Sequence, residues 1–167
     1  MWAKILKMFE SQPKRLAVVR VLIENGLGVR NGKIYCNELE VDMVEVARVA
    51  GVDRRTVAQT VKAIESNPEL SMIFRYLRSA GHSLREVAKY LGFSVLEITP
   101  TDARIPGILA KTAGLLAEKG ISIRQALVDD PDLHPEPRLS LIVEGEIPGD
   151  VVSKALKIKG VARVSVY

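Results

Sequence analysis

The chain predicts an α+β protein of two domains, a helical helix-turn-helix domain over residues 1–92 and a ferredoxin-like βαββαβ domain over 93–167. Three observations carry this. Residues 46–64, VARVAGVDRRTVAQTVKAI, have the spacing of two short helices joined by a glycine turn. Hydrophobic spacing before residue 93 is helical, whereas after it strands of period two alternate with helices. Glycine and proline punctuate the second half at each expected boundary.

Trp2, Ile5, Leu6 and Phe9 form one short apolar stripe, and Pro13 opens a second helix that ends near Asn25-Gly26. A strand is expected around Lys33–Cys36. The helix-turn-helix spans about 42–65: Ala47 lets two helices approach, Gly51 takes the turn, and Val57, Val61 and Ile64 hold the second helix down. Thr60 departs from the pattern, because an apolar residue is usual there. Asn67-Pro68 starts a helix carrying Leu70, Ile73, Phe74 and Leu77, ended by Gly81. Ser83 and Glu86 stand at capping-box spacing before a further expected helix, SLREVAKYLG. Ala88 and Gly92 echo Ala47 and Gly51, but the following residues alternate with period two and read as a strand.

In the second half, strand 94–100 turns Leu96 and Ile98 one way and Glu97 and Thr99 the other. Helix 105–119 places Ile105, Ile108, Leu109, Thr112, Leu115 and Leu116 on one side, and Gly120 stops it. Strand 121–128, an acidic proline-rich loop, strand 138–144, a helix opened by Pro148 and strand 161–167 follow. Right-handed crossovers then give a four-stranded antiparallel sheet with both helices on one face.

With 47% hydrophobic residues the chain can build a core, and no apolar run approaches the roughly 18 residues of a membrane span. The start lacks the apolar core and cleavage site of a signal peptide. Cys36 is the only cysteine, which excludes an intramolecular disulfide and fits a reducing cytoplasm. Glutamine and asparagine are scarce, at three and four residues, as in heat-adapted proteins. Residues 1–92 carry 15 Lys/Arg against 10 Asp/Glu, and residues 93–167 carry 9 against 10. The basic surplus therefore belongs to the half with the helix-turn-helix, where a polyanion would want it.

Arg54, Arg55, Thr56, Gln59 and Lys62 are the candidate DNA-binding residues, able to reach phosphates and base edges in a major groove. Two arginines at a helix start sit against the positive end of its dipole, which needs a reason. An ordinary tri-helical core with a solvated basic face would produce the same spacing. Other constellations fail. GLGVRNGK lacks the first glycine and the hydroxyl of a phosphate loop and reads as a turn. His134 among Asp129, Asp130, Asp132 and Glu136 reads as a solvated acidic loop rather than a metal cage. Nothing points to catalytic residues, a metal or a cofactor, and no enzyme is expected.

Asp102-Ala-Arg-Ile-Pro-Gly-Ile-Leu-Ala followed by Gly120-Ile-Ser-Ile resembles an ACT domain, the ligand-sensing module of amino-acid metabolism. Asp102, Pro106, Gly107, Leu109, Gly120 and Ile123 occupy the places of that pattern. The whole chain resembles predicted archaeal regulators of amino-acid metabolism that join a helix-turn-helix to a C-terminal ACT domain. The resemblance implies a small metabolite, an amino acid, bound at the strand-to-helix loop by Asp102, Arg104, Ile105, Pro106, Gly107, Ile108 and Leu109. It also implies a homodimer or higher homo-oligomer through this domain. The helix N-terminus would suit a carboxylate and Asp102 an ammonium group, although Asp102 could equally cap its own loop. The expectation is a cytoplasmic, metabolite-responsive regulator bound to double-stranded DNA, with no membrane. The alternative is a regulatory subunit docked on a biosynthetic enzyme.

Overall fold

The computed structural model describes residues 2–167, which divide into two compact units, residues up to Gly81 and His82–Tyr167. The first contains α1 (Trp2–Met8), α2 (Pro13–Glu24), β1 (Leu27–Arg30), β2 (Lys33–Cys36), β3 (Leu39–Val41), α3 (Met43–Ala50), α4 (Arg54–Ser66) and α5 (Pro68–Tyr76). Its core gathers Val18, Val19 and Leu22 of α2, Val46 and Ala47 of α3, Val57, Val61 and Ile64 of α4, and Phe74 of α5.

The strand expected around Lys33–Cys36 is the middle of a three-stranded antiparallel sheet whose outer strands the helical pattern hid. Asn31 and Gly32, at φ 52° and 72°, join β1 to β2. Two consecutive left-handed residues are what a tight hairpin requires, and Asn-Gly supplies them. Two glycines of the rejected phosphate loop, Gly26 and Gly28, serve packing. A side chain at Gly26 would meet Ser79 Cα at 2.6 Å, and one at Gly28 would meet Leu77 O at 3.0 Å. The chain leaving α5 thus crosses directly over β1.

Asn67 caps α5 with its side-chain oxygen, but the helix ends at Tyr76 rather than at Gly81. The expected helix SLREVAKYLG is replaced by a turn and a 3-10 turn over Ala88–Leu91, and no Glu86 capping box forms. Ser83 Oγ accepts a long bond from the Arg85 N–H instead. The reason is tertiary: this segment lies on the second unit. Gln125 binds Leu84 N and His82 O through its side-chain amide, and Leu84 and Ala88 pack with Phe93, Val95 and Ile142. The boundary expected at 92/93 therefore falls at 81/82.

The second unit is ferredoxin-like, as expected. Its elements are β4 (Phe93–Pro100), α6 (Ile108–Ala117), β5 (Ile123–Val128), β6 (Leu139–Glu144), α7 (Gly149–Ala155) and β7 (Val161–Val166). The sheet order is β5-β6-β4-β7, every pair antiparallel. Leu96, Ile98, Leu139, Leu141 and Val143 meet Ile108 and Leu116 of α6 and Val151 and Ala155 of α7. Two expectations change, and the side of β4 opposite Leu96 and Ile98 is covered. Helix α6 begins at Ile108, not 105, because Gly107 adopts φ 90° just before it. Leu109 is exposed rather than on the core side. Glu97 and Thr99 do not face solvent, because segment 82–92 and neighbouring arginines cover that side of β4; Glu97 is only 2% exposed.

Gly26 and Gly51 have similar φ, 61° and 65°, but a Cβ at Gly51 would meet nothing within 4 Å. Gly51→Ala should therefore cost only the left-handed strain, about 1–2 kcal/mol. Gly26→Ala adds overpacking and should cost about 2–5 kcal/mol. Urea unfolding of the two variants checks the difference; equal losses would remove the close crossing of residues 78–79 over β1.

Candidate nucleic-acid interface and candidate ligand cleft

The turn between α3 and α4 is built from local hydrogen bonds. Asp42 caps α3 by accepting from Val44 N at 2.8 Å. Gly51 closes the helix in the left-handed region, with Val52 N–H returning to Ala47 O at 3.0 Å. Asp53 then caps α4, accepting from Thr56 N at 2.8 Å and from the Thr56 hydroxyl at 2.9 Å. These two bonds, backbone first, hold its carboxyl below the usual carboxylate range, with Lys14 adding a smaller electrostatic contribution. A carboxylate at the cap offsets the burden of Arg54 and Arg55 at the helix start.

Helix α4 has two contrasting sides. Val57, Thr60, Val61 and Ile64 are buried, while Arg54, Arg55, Gln59 and Lys62 are exposed. Thr60, the departure from the apolar pattern, is 0% exposed because its hydroxyl donates to Thr56 O at 2.8 Å and so enters the core satisfied. Thr56 differs from the other candidates: it is half-buried and its hydroxyl is committed to Asp53. Arg54, Arg55 and Lys62 have no carboxylate partner among the described residues, whereas Arg48 on α3 is paired with Glu45.

In the second unit the seven candidate ligand residues do not form one site. Ile105, Gly107, Ile108 and Leu109 line an apolar cleft of about 170 Å³ with Pro100, Ala103, Val128, Pro137 and Leu139, and with Asp129 and Arg138 as its polar members. Asp102 and Arg104 line an adjoining, more polar cleft with Thr99, Thr101, His134 and Glu136. Pro106 is exposed. Asp102 Oδ1 accepts from Arg104 N at 2.9 Å, a local turn, and the Arg104 guanidinium reaches Asp132 at 3.1 Å. Ile105 packs toward Gly160, where a Cβ would stand 2.8 Å from its Cδ1. No side chain caps α6, which leaves its first N–H groups to other acceptors.

The sequence reading missed Arg138. It donates to buried Glu97 at 3.1 Å and to Glu136 at 2.7 Å while lining the apolar cleft. Arg85 pairs with the other Glu97 oxygen. The hydrogen bond from Arg138 and the charge of Arg163 hold Glu136 below the usual carboxylate range. Its place at the start of the alternating strand 138–144 is the only sequence signal Arg138 has. In the acidic loop, Asp129 accepts from Arg138 N and Asp130 from Asp132 N, so these carboxylates shape the turn. Among the described residues no group of three or more His, Cys, Asp or Glu could hold a metal ion, and no helix is long and apolar enough to cross a membrane.

No family model matches the chain, and no curated protein matches it in sequence. Among solved structures it is similar to a protein called PH0061, at 15% identity over 92% of this chain and 88% of that one, with a TM-score of 0.27. It is also similar to an AsnC family transcriptional regulator from Agrobacterium tumefaciens, at 13% identity over 93% and 87%, with a TM-score of 0.30. At these scores neither likeness carries an argument about function.

The Asp53 carboxyl is depressed in the folded state, so its contribution to stability is present above the unfolded value, about 3.9, and is lost as pH falls through the folded value. Asp53→Ala should lower the melting temperature at pH 7, and the gap to wild type should narrow as pH falls below about 4. Thermal unfolding by circular dichroism at pH 7, 4 and 3 tests this; a gap independent of pH would remove the cap from the account.

Proposed function

We propose that this chain is a cytoplasmic, metabolite-responsive transcriptional regulator of amino-acid metabolism, its first unit binding double-stranded DNA and its second acting as an ACT-type sensor. One observation carries the DNA reading: α4 buries one side and presents Arg54, Arg55 and Lys62, cations without carboxylate partners among the described residues, together with Gln59 on the other. Such a side can place long donors on phosphates and base edges. Pairing of two chains through the second unit would double the phosphate contacts and match a two-fold operator. The unpaired outer edges of β5 and β7 support that pairing.

The metabolite would place an apolar group in the cleft beside Leu109 and Val128. A space of about 170 Å³ is comparable to one that takes a benzene ring, near 150 Å³. Its carboxylate would meet the uncapped start of α6, and Asp102 in the adjoining cleft is the candidate partner for an ammonium group. Binding would act by preferring one arrangement of the paired DNA-reading helices. The alternative, a regulatory subunit docked on a biosynthetic enzyme, has the exposed Leu39, Val44 and Val49 in its favour.

Arg54→Glu with Arg55→Glu should abolish DNA retention at moderate salt with little change in melting temperature, since exposed substitutions usually shift stability by no more than about 0.5 kcal/mol. Electrophoretic mobility shift and thermal unfolding together check this. Normal DNA binding by the variant would refute the interface, and salt-insensitive capture of one enzyme without DNA would favour the alternative.

A screen of amino acids by thermal shift tests the sensor. A ligand at 100 times its Kd adds about 2.7 kcal/mol, and each kcal/mol is worth roughly 4–8 °C in a domain of this size. Val128→Asp, at an exposed cleft position, should abolish the shift, and Asp102→Ala should remove most of it. A full shift in both variants would place the ligand elsewhere.

A further inference from the structure

Residues 93–167 are nearly neutral overall, yet their cations are sharply sorted. All four arginines of residues 93–167 have carboxylate partners: Arg104 with Asp132, Arg124 with Glu144, Arg138 with Glu97 and Glu136, and Arg163 with Glu136. The lysines are placed differently. Lys111, Lys154, Lys157 and Lys159 line one open groove between α6 and the end of α7, over a floor of Gly114, Leu115 and Ile158. Lys154 approaches Glu118 and Asp150, and Lys119 pairs with Asp150 at 2.6 Å. Lys111, Lys157 and Lys159 are exposed and have no carboxylate partner among the described residues. Five lysines thus face two carboxylates on this side of the unit.

A second observation comes from the floor. Gly114 lies in the middle of α6 at an exposed position, where glycine weakens a helix relative to alanine. Nothing in the chain accounts for it, since a Cβ there would meet no atom within 4 Å. A bare helix backbone flanked by ammonium groups, with the lining Glu118 held near Lys154, admits a bulky anion at close range. Lysines act as point charges without the planar fork that reads a base edge, and the groove is open rather than enclosed.

We propose that the groove between α6 and α7 binds the sugar-phosphate backbone of DNA. It is a second, sequence-independent contact that adds to the α4 interface, and it rests on the reading of this chain as a DNA-binding protein. The lysines neutralise phosphodiesters, and Gly114 leaves room for the strand to lie against α6.

The test uses the full chain and a fluorescent 30-base-pair duplex of arbitrary sequence, with affinity measured by anisotropy from 50 to 200 mM KCl. Each neutralised phosphate contributes about 0.9 to the slope of log affinity against log salt. K111Q/K157Q/K159Q should therefore flatten that slope by roughly two to three. R54E/R55E should keep weak binding at 50 mM salt that the three lysine changes then remove. Gly114→Gln should raise the melting temperature while weakening DNA binding, an outcome that misfolding cannot mimic. An unchanged slope in the lysine variant, with R54E/R55E abolishing all retention, would overturn the groove and leave the α4 interface standing. Retention lost with the lysines but insensitive to Arg54 and Arg55 would do the reverse. Wild-type chain that retains no duplex at 50 mM salt would overturn both, and a groove that takes a nucleoside triphosphate but leaves duplex affinity untouched would overturn the groove alone.

Discussion

A buried carboxylate on the central strand organises the second unit. Glu97 sits on β4 between β6 and β7 with almost no exposure, and an unpaired charge there would be strongly destabilising. Arg138 reaches one oxygen from the start of β6 and Arg85 the other from the segment before β4. Accommodating this charge requires residues 82–92 to lie on the sheet. That in turn removes the helix their local sequence favours and moves the boundary between the units to 81/82. The ordering of segment 82–92, the burial of the second sheet side and the placing of Arg138 beside the apolar cleft all follow from where Glu97 sits.

The first unit depends on a different device, capping by short acidic side chains. Asp42 and Asp53 each satisfy a helix start, and Gly51 between them lets the chain turn without strain. The outcome is a two-helix element in which Arg48 of α3 is paired with Glu45 while Arg54, Arg55 and Lys62 of α4 have no carboxylate partner among the described residues. Arginines elsewhere in the chain, by contrast, are largely committed: Arg30 stacks over Tyr35 and bonds Asn37 O, and Arg78 bonds the carbonyls of Arg75 and Leu77. The distinction between committed and free cations, rather than net charge, separates structural basic residues from those available to a polyanion.

Much of the fold is legible without coordinates because it rests on local signals. Period, glycine stops and proline starts place α2, α4, α7 and the order βαββαβ, and the split of α4 into buried and basic sides follows from its 3.6-residue repeat. The small sheet of the first unit is less legible. Its strands are three or four residues long, too short for a period, although Asn31-Gly32 is a hairpin signal. The ligand loop reads as one continuous motif, yet its residues part into an apolar and a polar cleft, because Gly107 takes φ 90° and delays the helix to Ile108.

By itself the sequence determined the two-domain α+β plan, the helix-turn-helix with its exposed Arg54, Arg55, Gln59 and Lys62, and the ferredoxin-like order of strands and helices. These depend on interactions within one turn or one strand, where neighbours in sequence are neighbours in space. Tertiary structure alone decided that Glu97 is buried, that 82–92 abandons its helix to cover it, that Thr60 joins the core, and that Lys111, Lys157 and Lys159 converge on one groove. Each of these is set by partners far apart along the chain, and the charges and hydrogen bonds that fix them have no periodicity for the sequence to display.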